Sequence, residues 1–248
     1  ETDPLSRLEA LAPQHDFFVG IDSDGCVFDT MELKHKECFC PMFVKHWGLQ
    51  SISRYAREVW EFVNLYSIHR GCNRFKALVT ALDLLRTRMS DAHPEIAWPD
   101  LSPLREWIAR EPRLGQPALA EELERSDDPL LRRAFEWSQD VNRAVAAMGT
   151  AVESFPSVKP SLQKLASVAD IVVVSQTPLD AITDEWRHAG IDGYPAVIAG
   201  QEFGTKRQHL QYAAGGKYPE DHIMMLGDAP GDRQAAADNG VLFFPISP

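Results

Sequence analysis

Two acidic side chains follow an apolar segment near the start of the chain. The segment Phe17–Ile21 is short and apolar, and Asp22 and Asp24 come directly after it, in a turn that also contains serine and glycine. A short apolar run that ends at such a turn is typical of a buried strand. Two carboxylates this close at a buried strand's end cannot both stay ionised without a nearby cation. The pattern favours a metal-assisted site over an ordinary polar turn.

Further polar side chains follow other apolar runs along the chain. They are Ser175, Lys206, Asp228 and Asp232. In an open parallel sheet, ligands bind beyond the carboxyl ends of the strands, so these groups are expected to meet. Phosphoryl transfer needs this set, because unit charges ~4 Å apart near a protein surface repel by about 4 kcal/mol. A Mg²⁺ ion held by the carboxylates, together with an ammonium on the phosphoryl oxygens, would remove that obstacle. The hydroxyl could bind a remaining phosphoryl oxygen.

The apolar runs outside residues 31–150 alternate with helix-like segments. The runs are Phe17–Ile21, Ile171–Val174, Ala196–Ile198, Ile223–Leu226 and Val241–Phe244. Strands that are apolar throughout and separated by helices predict a parallel sheet covered on both faces. The fold class is therefore α/β, with a Rossmann-like parallel sheet.

Residues 31–150 have a different pattern and interrupt the α/β part after its first strand. Helical spacing covers Ser53–Tyr66, Arg74–Arg88 and Pro129–Met148, and no alternating strand is evident. Five of the six tryptophans lie here, which is enough aromatic bulk for a second hydrophobic core. We predict an α/β domain from residues 1–30 and 151–248 and a helical domain at 31–150. Trp60, Phe62 and Tyr66 are expected in the core of the helical domain.

Composition and charge exclude some classes of function. The formal net charge is −11. Residues 31–150 contain 17 basic and 17 acidic residues, so the whole net charge arises from the rest of the chain. An acidic body argues against nucleic acid as a partner, because neutralising phosphates dominates such binding. No apolar run is long enough to cross a bilayer, and no signal-peptide pattern is visible. Four sparse cysteines do not form a disulfide framework. We expect a cytoplasmic protein that does not act at a membrane.

The polar segments, taken together, resemble the four motifs of the haloacid dehalogenase-like superfamily. The resemblance rests on Asp22–Asp29, Ser175, Lys206 and Gly227–Asp232, in that order. It covers the α/β part of the chain, and a helical insert directly after the first motif resembles that superfamily's cap of the first type. The resemblance implies a Mg²⁺-dependent phosphohydrolase that acts on a small phosphorylated metabolite.

The resemblance also implies roles for individual residues. Asp22 would be the nucleophile that forms an aspartyl-phosphate, and Asp24 would protonate the leaving group and then activate water. Ser175 and Lys206 would bind the phosphoryl group. Lys159 is a rival to Lys206, but it precedes the second strand and so comes out of order.

The implied Mg²⁺ ligands are Asp22, the backbone carbonyl of Asp24 and Asp228, with Asp232 assisting either directly or through water. Dehalogenases resembling this family lack the second aspartate, because a halide needs no proton, whereas an alcohol does. Asp24 therefore favours a phosphatase. The alternatives are a phosphomutase of the same superfamily and a catalytically idle, ligand-binding relative. A signalling receiver module is disfavoured, because such modules carry no large insert after the first strand.

Substrate choice is expected to reside in the helical domain. His69, Arg70, Asn73 and Arg74 cluster beside a glycine between two predicted helices. Guanidinium groups bind phosphate or carboxylate in a forked geometry, which suits an anionic substrate. The alternative is a solvated loop in which Asn73 caps a helix and the arginines pair with nearby acids. Nothing in the sequence indicates the oligomeric state.

Overall fold

Two separate units make up the part of the chain that the structure, a computed structural model, describes. The described residues are 4–148 and 152–246. One unit contains residues 4–31 and 152–246, and the other contains residues 32–148. Each has its own cluster of buried apolar side chains. No helix in the described ranges is long and apolar enough to span a bilayer.

Helices and strands are numbered along the chain. The helices are α1 (Pro4–Glu9), α2 (Thr30–Leu33), α3 (Cys40–His46), α4 (Ser53–Glu61), α5 (Arg74–Met89), α6 (Ser102–Arg110), α7 (Gln116–Arg125), α8 (Pro129–Met148), α9 (Val158–Leu165), α10 (Leu179–His188), α11 (Lys206–Ala214) and α12 (Pro230–Asp238). The strands are β1 (Phe17–Ile21), β2 (Ala169–Val174), β3 (Val197–Ala199), β4 (Ile223–Gly227) and β5 (Leu242–Pro245).

The first unit is built on one five-stranded sheet. Its strand order is β3-β2-β1-β4-β5, and every neighbouring pair is parallel. The chain builds β2 and β3 on one side of β1 and then returns to the other side for β4 and β5. The strand order therefore switches between β1 and β4, which is where open α/β sheets bind ligands. The predicted α/β class and parallel sheet are confirmed.

Both faces of this sheet are covered by helices. Side chains alternate between faces along a strand, so Phe18 and Val172 join one buried cluster while Val19 and Ile171 join the other. The first cluster includes side chains of α11 and α12, and the second includes Trp186 of α10. This two-sided burial explains why the central strands are apolar throughout.

The second unit is helical over all of its described secondary structure, with two π-helical turns at Lys34–Phe39 and Phe62–Tyr66. Its core contains the fully buried Trp60, but Phe62 and Tyr66 are 51% and 58% exposed. The expectation that these two belong to the core is wrong. A π-helical turn holds an extra residue, so its side chains rotate away from the face that α-helical spacing predicts.

Candidate active site

The predicted site residues of the first unit start from neighbouring strand ends. Ile21, the last residue of β1, pairs in register with Leu226 of β4 and with Val173 of β2. The backbone N–H of Asp22 donates to the carbonyl of Leu226 at 2.9 Å, which extends the ladder by one residue. Because the strands are parallel, the residues that follow them emerge at one edge of the sheet.

Three carboxylates and one ammonium meet at this edge. Asp22, Asp228 and Asp232 each offer an oxygen, and these oxygens lie within 4.8 Å of one another. Nζ of Lys206 lies 2.7 Å from Oδ2 of Asp22 and 2.6 Å from Oδ1 of Asp232. When all four groups are ionised, they leave two uncompensated negative charges. Carboxylate oxygens are the ligands that Mg²⁺ prefers, so the charge and the donor set both fit a divalent cation.

The charges at this edge depend strongly on one another. Burial raises the pKa of the Asp22 carboxyl well above its ordinary value; Lys206 opposes that shift, and Asp232 and Asp228 add to it. Burial disfavours the charge of Lys206, but Asp22 and Asp232 outweigh this effect and raise the pKa of its ammonium. Lys206 therefore stays charged, and Asp22 needs further positive charge to stay ionised.

A glycine allows Asp232 to approach the end of β4. A Cβ atom added to Gly227 would lie 2.5 Å from three side-chain atoms of Asp232. Asp232 lies in the first turn of α12, where the helix dipole favours a negative charge. Its Oδ2 accepts a hydrogen bond from the backbone N–H of Ala229 at 3.0 Å. These contacts fix the position of the buried carboxylate.

Asp24 has surroundings of a different kind. Thr177 Oγ1 donates to its Oδ2 at 2.7 Å, and Thr30 Oγ1 donates to its Oδ1. The following glycine, Gly25, has a φ of 78°, which a turn built here requires. The resemblance implies that Asp24 binds the metal through its backbone carbonyl, and its carboxylate is outside the three-carboxylate group described above. Two hydroxyl donors hold this carboxylate in a fixed orientation.

The two threonines were missed as site residues. In the sequence, Thr177-Pro178 has the pattern of a helix start with threonine at the cap, but Pro178 holds the N-cap position and α10 begins at Leu179. The signal that could have found Thr177 is its position two residues after Ser175, just beyond a strand end. Thr30 carries no comparable signal, because its contact with Asp24 depends on the path of the intervening turn.

Ser175 is buried and held by its neighbours. Its backbone N–H donates to the carbonyl of Ala199 at 3.0 Å, and its hydroxyl oxygen accepts from the backbone N–H of Thr177 at 3.1 Å. The hydroxyl proton makes no hydrogen bond within the described part of the chain. It can therefore be donated to an anionic ligand.

His69 and Arg70 lie in the helical unit, between the π-helical turn Phe62–Tyr66 and α5. The backbone N–H of His69 donates to Oγ of Ser67 at 3.0 Å. Nη1 of Arg70 donates to the carbonyl of Leu65 at 3.1 Å. These bonds order the loop and do not by themselves assign either side chain a ligand.

Asn73 and Arg74 are fixed more firmly. Asn73 is the N-cap of α5: its Oδ1 accepts from the backbone N–H of Phe75 at 3.0 Å, and its Nδ2 donates to the carbonyl of Leu114 at 3.0 Å. The capping role that the sequence left as an alternative for Asn73 is therefore present. Arg74 packs against α8 and makes no ion pair with a described residue.

Comparison with known proteins adds to this picture. No protein-family model matches the chain, and no curated protein matches its sequence. Solved structures do match. A proposed haloacid dehalogenase-like hydrolase from Bacteroides fragilis is 16% identical, with a TM-score of 0.59 over 93% of this chain and 87% of that one.

Two further structures match over most of their length. A hydrolase of the haloacid dehalogenase-like family from Streptococcus pneumoniae is 15% identical, with a TM-score of 0.53 over 93% of this chain and 84% of that one. A proposed hydrolase of the same type from Bacillus subtilis, solved with magnesium bound, is 11% identical, with a TM-score of 0.52 over 95% and 91%. The sheet order, the helical insert after β1 and these likenesses show that the chain has the haloacid dehalogenase-like fold.

Proposed function

We propose that this chain is a Mg²⁺-dependent phosphohydrolase that acts on a small phosphorylated metabolite through an aspartyl-phosphate on Asp22. The observation that carries the proposal is the convergence of Asp22, Asp228, Asp232 and Lys206 at the switch in strand order. Three carboxylates together repel a phosphate, whereas one ammonium with a divalent cation attracts it.

Asp22 is the nucleophile in this proposal. A carboxylate oxygen of Asp22 attacks phosphorus, and the bond from phosphorus to the leaving oxygen breaks. Asp22, the backbone carbonyl of Asp24, Asp228 and Asp232 would hold Mg²⁺, which would supply positive charge that offsets repulsion between the anions. Lys206 and the hydroxyl of Ser175 bind the phosphoryl oxygens and hold the group in line with the nucleophile.

Asp24 transfers the protons. Its carboxylic acid gives a proton to the departing alcohol, and the resulting carboxylate takes a proton from the water that attacks the aspartyl-phosphate. The second step releases inorganic phosphate and regenerates Asp22. The hydroxyls of Thr30 and Thr177 orient Asp24 for both steps.

The domain assignment is part of the same proposal. Residues 1–30 and 151–248 form the α/β domain, and residues 31–150 form a helical cap. His69, Arg70, Asn73 and Arg74 are the cap residues proposed to choose the substrate.

The experiment is an assay of p-nitrophenyl phosphate hydrolysis with and without Mg²⁺. We expect turnover that requires the metal and disappears in Asp22→Asn. Asp170→Asn is the matched control, because Asp170 is equally buried in the same sheet but lies at its other end. Hydrolysis that survives Asp22→Asn would show that Asp22 is not the nucleophile. Mg²⁺ binding without turnover on a broad panel of phosphate esters would favour an idle, ligand-binding relative.

A further inference from the structure

Arg74 is held rigidly in the helical unit by uncharged groups. Its Nη1 donates to Oδ1 of Asn142 at 2.7 Å and to Oγ of Ser138 at 3.1 Å, both on α8. The centre of its guanidinium group lies 5.1 Å from the centroid of the Phe39 ring, within range of a cation–π contact. All of these partners are neutral, so they position the guanidinium without neutralising its charge.

Other arginines of this unit are paired differently. Six of them form ion pairs with Asp or Glu side chains and lie on exposed surface: Arg54, Arg88, Arg105, Arg110, Arg132 and Arg143. Arg74 is half-buried and has no carboxylate partner among the described residues. Other arginines of the unit, such as Arg57 and Arg133, also make no ion pair with a described residue, but they are exposed to solvent, whereas Arg74 is half-buried. An unpaired guanidinium costs more when it is withdrawn from water.

The position of Arg74 in its helix adds positive potential. Arg74 is the first residue of α5, a helix of 16 residues with no acidic residue in its first turn. The N-terminal end of a helix carries a partial positive charge, so it favours anions and disfavours a cation. Burial also lowers the pKa of Arg74 to about 10, and no charged neighbour offsets that effect.

The free edge of the guanidinium matches one class of ligand. Nε and Nη2 of Arg74 make no hydrogen bond to a described residue, whereas Nη1 donates to Asn142 and Ser138. These two nitrogens share one edge of the planar group, and their parallel N–H groups can bind both oxygens of a carboxylate or phosphate.

We propose that Arg74 anchors an anion-binding site in the helical unit, which takes a carboxylate or phosphate group of a small molecule. Ser138, Asn142 and Phe39 position the guanidinium, and its free edge with the start of α5 binds the anion. The site stands on these contacts alone, so it does not depend on the proposed phosphatase activity.

The test is calorimetric titration of the full chain with malonate, in buffer free of phosphate and divalent ions. We expect Arg74→Met to weaken malonate binding about tenfold to hundredfold, because charge-assisted hydrogen bonds are lost. Arg74→Lys keeps the positive charge but loses the pair of parallel N–H donors. Its affinity for malonate should therefore lie between those of the unmodified chain and Arg74→Met. Arg88→Met is the matched control, since it removes a paired arginine from the same helix, and should bind malonate like the unmodified chain.

No malonate binding by the unmodified chain, or equal affinity in Arg74→Met, overturns the site. If Arg74→Met does not fold, nitrogen-15 spectra of the unmodified chain decide instead. The Nε–H resonance of Arg74 is identified by its absence from the spectrum of Arg74→Lys. Malonate should shift this resonance, and a resonance that does not move counts against the proposal.

A kinetic comparison identifies where the anion comes from. If it belongs to the substrate, Arg74→Met should raise the ratio of KM for 3-phosphoglycerate, which carries a carboxylate, to KM for p-nitrophenyl phosphate about tenfold or more. If it is a separate molecule, that ratio should stay the same while malonate binding is lost. Either result supports the site, and a chain without turnover still leaves the malonate titration to decide.

Discussion

Two aspartates, Asp22 and Asp170, lie at opposite ends of the same sheet with nearly equal exposure, 4% and 6%. Asp170, near the start of β2, accepts hydrogen bonds from the backbone N–H of Gln14 at 2.9 Å and from the hydroxyl of Tyr218 at 2.8 Å. The backbone N–H and the ring of His15 add two more. Asp22, just after β1, accepts one backbone bond and contacts Lys206, but it also faces two like charges.

The difference appears in the charge states. Burial opposes the ionised form of Asp170, yet the hydrogen bonds from Gln14, Tyr218 and His15 outweigh it and lower the pKa of this carboxyl. The pKa of Asp22 moves the opposite way. At nearly equal exposure, hydrogen-bond donors outweigh the effect of burial at Asp170, whereas at Asp22 burial dominates and the nearby like charges add to it. A shortage of donors at one end of the sheet is what favours a cation there.

The largest effect expected is a crossed pair of substitutions. Asp22→Asn should lower kcat by at least about a thousandfold, because it removes the nucleophile. Asp170→Asn should leave kcat almost unchanged but lower the free energy of unfolding by about 1–3 kcal/mol, because charged hydrogen bonds are lost. Steady-state kinetics and urea unfolding of both variants measure this. Loss of activity in both, with equal loss of stability, would end the distinction between the two aspartates.

Asp24 sharpens the comparison as a third, intermediate case. Its oxygens accept from hydroxyls, like those of Asp170, but it lies beside Asp22. Asp24→Asn should lower kcat about a hundredfold for alkyl phosphates, since their alcohol must be protonated. The loss should be smaller for p-nitrophenyl phosphate, whose leaving group is stable as an anion. Equal losses on both substrates would contradict the acid role.

Metal binding should depend on one end of the sheet only. Mg²⁺ at about a hundred times its Kd should raise the free energy of unfolding by about 2.7 kcal/mol. Asp228→Asn should remove most of this gain, because it removes one of the three clustered carboxylates. Asp170→Asn should keep the gain. Thermal unfolding with and without Mg²⁺ gives the answer, and a gain that survives Asp228→Asn would place the cation elsewhere.

The smallest expected effect is on the stability of the metal-free protein, to which Asp170 and Asp22 should contribute with opposite dependence on pH. Asp170 has a lowered pKa, so it contributes stability above about pH 4, and this is lost as pH falls through its folded value. Asp22 has a raised pKa, so its cost is absent in acid and grows as pH rises above about 4. Each contribution is about 1.4 kcal/mol per pKa unit.

The two asparagine variants separate these contributions. At pH 7 in a chelator, Asp170→Asn should be less stable than the unmodified chain, and Asp22→Asn should be more stable. In strong acid both differences should shrink. Urea unfolding across this range measures them, and changes of the same sign at pH 7 would contradict the raised pKa of Asp22 or the lowered pKa of Asp170.

Much of the α/β unit could be predicted from local patterns. Short apolar runs identified the sheet strands, and the turn residues after β1 and β4 identified Asp22 and Asp228. This works because a strand buried on both faces must be apolar, and a parallel sheet collects its strand ends at one edge. In the helical unit, α8 was predicted with its observed bounds, whereas α7 was not predicted at all.

The sequence by itself determined the parallel sheet, the order of the polar residues after its strands and the excess of negative charge there. The roles proposed for those residues stay predictions. Only the tertiary structure decided which buried aspartate is paired. The donors of Asp170 come from 156 and 48 residues away along the chain, at Gln14 and Tyr218. Local sequence cannot reveal donors that folding brings from such distances, so Asp22 and Asp170 became different only in the folded chain.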